Sequence, residues 1–147
     1  MGEVRTKVRL INATDDALAR RGDLPKGKIR EHIADAMVDT GSVRLVIPPH
    51  LLSLLGLQTR GLRVVEYADG RKEPVSVTEP VIVEIDGRDT IEDALVLGDE
   101  VLIGQTVLEK LDLLVDCHAG RLVPNPSHPD QPVVKLEIII GQLVSLY

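Results

Sequence analysis

The chain has 147 residues, enough for one domain with its own core, and it contains no Phe or Trp and only Tyr67 and Tyr147. Lys and Arg total 17 against 23 Asp and Glu, a formal net charge of −6, and the scattered basic residues form no stripe, which excludes nucleic acid as a partner. The single cysteine, Cys117, excludes an internal disulfide and fits a reducing cytoplasm, while no apolar run is long enough for a signal peptide or a bilayer span.

"MGEVRT" matches the pattern for N-myristoylation in form, but so short a match arises by chance. Val4, Thr6, Val8 and Leu10 alternate with Arg5, Lys7 and Arg9, and this period of two predicts a half-buried strand instead. "NATDDALARRGDLPKGK" reads as a polar connection with room for a short turn of helix. "IREHIADAMV" then runs to Asp39, and "RLVIPP" is extended. "PPHLLSLLGL" predicts a short helix, with Pro at its start, clustered leucines, and Gly56 as its stop.

"LRVVEYADGRKEPVSVTEPVIVEI" predicts two long strands joined around Ala68-Asp69-Gly70-Arg71, because Gly accepts the positive φ of a tight hairpin turn. Asp86-Gly87 predicts a second hairpin. "EVLIGQTVLEKLDLLVD" reads as a buried strand, a break at Gly104 and a helix with Val107, Leu108 and Leu111 inside. Thr106 and Glu109 have the spacing of a capping box for that helix. A last hairpin is expected around His118-Ala119-Gly120. Residues 124–147 form a Pro-rich connector and a β-prone tail, "VVKLEIII" with "LVSLY". Six apolar strands with short helices, undivided by any linker, predict a mainly β chain organised as one domain over 1–147.

The sequence also repeats weakly. "IADAMV" (33–38) resembles "IEDALV" (91–96), and "VIPPHLLSLLGL" (46–57) resembles "LIGQTVLEKLDL" (102–113), at offsets of 58 and 56 residues. Two similar strand–loop–strand–helix units related by a pseudo-two-fold axis are expected. Between the paired segments stand "DTGSVR" in the first copy and "LGDE" in the second.

Asp39-Thr40-Gly41-Ser42 are turn-forming residues, and a carboxylate ending an apolar strand is costly unless it is paired or used. Apolar residues flank the motif, a long hairpin follows it, and Leu102-Ile103-Gly104 leads into a helix. In these three features, over roughly 28–117, the chain resembles the retropepsin-like aspartic proteases, the retroviral family and its single-domain bacterial relatives. The resemblance implies a closed acid-protease barrel with a flap hairpin, one or two short helices, and endopeptidase activity without metal or cofactor. It implies Asp39 as the catalytic acid, supplied once by each chain of a homodimer acting on a peptide or protein. Thr40 would brace the two loops, Gly41 would let the substrate backbone approach, and Ser42 would donate its hydroxyl to Asp39. The hairpin tip Ala68, Asp69 and Gly70 would close over the peptide.

Two positions depart from the retroviral pattern. Val43 and Gln105 stand where an acidic residue and an Arg form an ion pair, so both partners are absent together. The tip also lacks paired glycines. These departures support an alternative, a non-catalytic peptide-binding or dimerisation module on the same fold; a structural oligomerisation domain built on the tail is a third. Cys117 beside His118, and the scattered His32, His50 and His128, have no partners at zinc spacing and read as surface residues.

Overall fold

The structure, a computed structural model, describes residues 2–136. Strand β1 (Arg5–Asn12) runs into helix α1 (Ala13–Arg20), and a single 3-10 turn over Lys26–Lys28 leads to β2 (Glu31–Val38). β3 (Val46–Ile47) is followed by α2 (His50–Leu55), and β4 (Thr59–Glu66) and β5 (Lys72–Thr78) form a long hairpin. β6 (Val81–Ile85), β7 (Arg88–Glu92), β8 (Leu95–Val96) and β9 (Leu102–Ile103) precede α3 (Gln105–Leu111). β10 (Leu113–Asp116) and β11 (Arg121–Pro124) make a separate two-stranded sheet. The other nine strands form one curled sheet in the order β4-β5-β8-β3-β9-β2-β1-β6-β7. The class is the predicted one, mainly β with short helices and a long hairpin. No described helix is long and apolar enough to cross a membrane.

The core is wholly aliphatic. Leu10, Ile47, Leu55, Ile103 and Leu111 are almost completely buried, each contributing roughly 2 kcal/mol by removal from water. Local signals set the helix ends. Asn12 caps α1 by accepting from the Asp15 amide, and its own amide group donates to the Leu55 carbonyl at 2.8 Å, tying α1 to the end of α2. Gly56 stops α2 in the left-handed region, φ 61, as predicted. Asp86 and Gly87 both have positive φ at the β6–β7 turn, the geometry their hairpin requires.

The expected pseudo-two-fold is present in the hydrogen-bond register. β2 lies parallel to β9, pairing Met37 with Leu102 and Val38 with Ile103. β8 lies parallel to β3, pairing Leu95 with Val46 and Val96 with Ile47. Leu95 and Val96 lie 58 residues after Met37 and Val38; Leu102 and Ile103 lie 56 after Val46 and Ile47. Each pair is therefore the image of the other, and the antiparallel pair Val46–Leu102 maps onto itself. The flanking amides obey the same rule. Met37 donates to Val101 and Leu95 to Leu45, both at 3.0 Å; Asp39 donates to Ile103 at 2.9 Å and Leu97 to Ile47 at 3.1 Å.

Four expectations are corrected. The segment after the first hairpin turn is two strands, β5 and β6, because Pro80 has no N–H to continue a ladder. The chain turns there, and β6 pairs with β1 across the sheet. Among the described residues eleven strands replace six, since the interlocking β3, β8 and β9 are only two residues long. The capping box at Thr106 and Glu109 does not form: the N-cap of α3 is Gly104 and makes no side-chain cap bond. Carbonyls of the loop between β2 and β3 take its place, Ser42 accepting from the Gln105 amide at 2.8 Å and Val43 from the Thr106 amide at 3.0 Å. Residues 133–136 of the β-prone tail are not in a strand, and 137–147 lie outside the described residues.

Candidate active site

Asp39 sits at the end of β2, half-buried, where the parallel pairing with β9 ends. Its amide is fixed by Ile103, its carbonyl accepts from the Ser42 amide at 3.0 Å, and its Oδ1 accepts from the Gly41 amide at 3.0 Å. A Cβ on Gly41 would lie 3.2 Å from that same Oδ1, closer than most real contacts. The glycine lets the backbone N–H come up to the carboxylate and leaves the acid's other oxygen without an intrachain bond among the described residues.

Gly104 is required for a different reason. Its backbone is ordinary, φ −95, but a Cβ there would meet the Arg44 carbonyl at 2.6 Å, the Ser42 carbonyl at 2.7 Å and the Arg44 amide at 2.9 Å. The corner between β9 and α3 presses against the backbone of residues 42–44, and only a residue without a side chain fits. Leu102-Ile103-Gly104 and Asp39–Ser42 are thus brought together: Ile103 anchors the acid's amide while Gly104 admits the loop behind it. Arg44 fastens the far end of the loop through an ion pair with Asp93.

Ser42 does not donate to Asp39 as expected. Its Oγ donates to the Arg44 carbonyl at 2.9 Å, so it stiffens the loop and leaves the acid alone. The acidic cap is taken up by Gly41, whose N–H is closer in sequence and needs no rotamer. Thr40 and Gly41 are exposed.

The tip of the β4–β5 hairpin is organised by its own polar groups. Gly70, φ 86, donates to the Tyr67 carbonyl at 2.8 Å, and Asp69 Oδ1 accepts from the Arg71 amide at 2.9 Å. Arg71 lies over the Tyr67 ring, 4.5 Å from its centroid, and the Tyr67 hydroxyl donates to Glu73. The hydrogen bonds of Ala68, Asp69 and Gly70 stay within the hairpin, and among the described residues none reaches the Asp39 loop.

A cavity of about 340 Å³ opens beside Asp39 and Thr40. One wall is Gly2, Glu3 and Val4; another is Val115 and Cys117. Sequence reasoning missed these wall residues because they are brought to the acid only by long-range pairing. Val4 arrives through the bond from the Val38 amide to its carbonyl at 2.8 Å, and Val115 through the β10–β11 hairpin. Cys117, read from sequence beside His118, lines the same cavity as Asp39; the His118 amide is engaged by Asp116 Oδ1 at 3.1 Å.

No family model matches the chain, and no curated protein matches it in sequence. Among solved structures the chain is similar to the solution structure of Simian Foamy Virus (mac) protease, at TM-score 0.44 and 13% identity, over 71% of this chain and 90% of that one.

Proposed function

We propose that the protein is an aspartic endopeptidase of the retropepsin type, active as a homodimer in which each chain supplies one Asp39. The observation that carries this reading is the inequality of the two pseudo-symmetric strand ends. Both are built by the same backbone bonds, yet one ends on Asp39 and the other on Leu97. Hydrolysis of an amide by carboxyl groups uses two of them sharing one proton, since like charges about 3 Å apart do not both ionise. One chain has one such acid, so the second comes from a second chain.

In this reaction the ionised Asp39 draws a proton from water as the oxygen attacks the peptide carbonyl. The protonated Asp39 of the other chain donates to the carbonyl oxygen, giving a tetrahedral diol. Collapse returns a proton to the departing amine and restores the shared-proton pair. The Gly41 amide keeps one Asp39 oxygen oriented throughout. The β4–β5 hairpin covers the peptide and excludes water.

The test is subunit mixing. Specific activity falls on dilution through the dimer dissociation constant, by mass action. Asp39→Asn keeps the side chain's shape and removes its acid chemistry; exchanged into wild type, it lowers activity below that of the wild-type fraction, because heterodimers hold one acid. Retention of all the activity of the wild-type fraction, after exchange has been demonstrated, would mean that each chain carries a complete site. Absence of any peptidase activity in a proven dimer would favour the binding-module reading.

A further inference from the structure

The pseudo-two-fold that relates Asp39 to Leu97 also relates Asp35 to Asp93, and Arg44 to Glu100, at the same offsets of 58 and 56 residues. On one side of the molecule the corresponding residues, Arg44 and Asp93, form a direct ion pair. On the other side the same two places hold Asp35 and Glu100, both carboxylates, which repel when ionised. A third residue resolves this. Arg5 Nε donates to Asp35 Oδ2 at 2.9 Å, Nη1 to Glu100 Oε1 at 3.1 Å, and Nη2 to the Asp35 carbonyl at 3.3 Å. Glu3 adds a further carboxylate on Nη1 at 3.1 Å.

An isolated surface ion pair does little, and the Arg5 side chain is 35% exposed. Here, however, all three nitrogens of one planar guanidinium are engaged, by Asp35 on β2, by Glu100 in the loop before β9 and by Glu3 ahead of β1, which fixes the group's position as a single flexible contact cannot. Arg5 begins β1, and the three residues before it form one wall of the Asp39 cavity. Val4 touches the site most directly, through its carbonyl bond from the amide of Val38, the neighbour of Asp39.

We infer that Arg5 is a positioning residue for the Asp39 cavity: by bridging Asp35 and Glu100 it anchors the start of β1 and holds Gly2–Val4 as the cavity wall. Its consequence for turnover rests on the proposed function, whereas the wall itself is measured without reference to any reaction.

Amide hydrogen exchange resolved by NMR reads the wall directly, because the Val38 amide donates to Val4 and the adjacent Asp39 amide donates to Ile103. In Arg5→Ala, exchange at Val38 accelerates roughly fivefold while Asp39 and Met37 keep their wild-type rates, as expected for a local opening. Adding Glu100→Arg to Arg5→Ala restores an ion pair with Asp35 and recovers the unfolding midpoint, but it leaves Val38 fast because β1 remains unanchored. Glu100→Gln alone, which keeps the fold's other ion pairs, gives a smaller rise at Val38, about twofold by the same reasoning. An unchanged Val38 rate in both Arg5→Ala and Glu100→Gln overturns the inference. So does an equal rise at Met37, Val38 and Asp39, or full recovery of Val38 by Glu100→Arg; either makes Arg5 a charge balancer only. Should Arg5→Ala not fold, Glu100→Gln decides by itself. Peptidase activity enters none of these outcomes, so an inactive wild type would remove the proposed function without touching this result.

Discussion

The two halves of the chain solve one backbone problem with different side chains. In each, a strand end pairs in parallel with a short strand from the other half and is followed by a loop and a helix. The first half uses seven residues for its loop, Asp39–Leu45, and places a carboxylate at the strand end; the second uses five, Leu97–Val101, and places an aliphatic group. The backbone frame is therefore indifferent to the acid, and the chemistry lies in what was placed on one of its two ends. The helices differ as well. α2 is entered through Pro48 and Pro49, while α3 is entered through Gly104, whose missing side chain makes room for the longer loop.

The largest expected effect breaks the equality of the strand ends. Asp39→Asn should cost on the order of 10³-fold or more in peptidase rate with an unchanged unfolding midpoint, since it removes acid–base chemistry and little packing. Leu97→Asn should do the converse. It loses about 1–2 kcal/mol of stability from a half-buried aliphatic group and keeps turnover per folded dimer. Steady-state kinetics beside urea unfolding separates the two, and equal losses of rate would mean the halves share the catalytic work.

The helix entrances give the next contrast. Gly104→Ala drives a Cβ into the backbone of residues 42–44 and should destabilise by about 3 kcal/mol, the upper range for overpacking. Pro48→Ala, at the matching place, removes atoms and should cost less, about 1 kcal/mol. Denaturant midpoints check the order; a tolerated Gly104→Ala would show that the loop can back away.

The smallest effect concerns the connections. β6 and β7 are joined by two residues, while β1 and β2 enclose α1, which Asp15 and Arg30 fasten. The Arg30 guanidinium, donating at 2.8 and 2.9 Å, holds the Asp15 carboxyl below the usual carboxylate range, with the Arg30 amide adding to this and burial opposing it. A depressed carboxyl stabilises the fold above its ordinary value, about 4, and that contribution disappears as pH falls through the lowered value. The gap in thermal midpoint between wild type and Asp15→Asn should therefore be widest near neutrality and narrow below about pH 4. A constant gap would assign the residue's effect to its neutral hydrogen bonds.

What was legible in the sequence was local. Gly56, Asp86-Gly87 and the leucines of α3 announced themselves because turn chemistry and helical periodicity need only neighbouring residues. The repeat announced the pseudo-two-fold, since equivalent registers need equivalent residues. The two-residue strands β3, β8 and β9 were not legible: no propensity operates over two residues, and their pairing is set by the interlock. The α3 cap is not legible locally because Ser42 and Val43, some sixty residues away, supply the acceptors that a local box would supply. The wall of the Asp39 cavity was invisible for the same reason, being assembled from both ends of the described chain. Asp39 itself was legible as an acid in an unusual place, and its loop as far as Gly41; the partner of Ser42 was not.

The all-aliphatic interior decides what light can report about this protein. With no tryptophan or phenylalanine in the sequence and Tyr147 outside the described residues, Tyr67 is the one benzenoid ring in the described fold, and it sits at the hairpin tip against Arg71 and Glu73. The near-ultraviolet dichroism of Tyr67, unlike that of a core aromatic, will be almost blind to melting of this core. In a Tyr147→Phe variant, tyrosine emission will instead follow the hairpin. A ligand that draws the tip downward will change it, and a substitution deep among the leucines will pass nearly unseen.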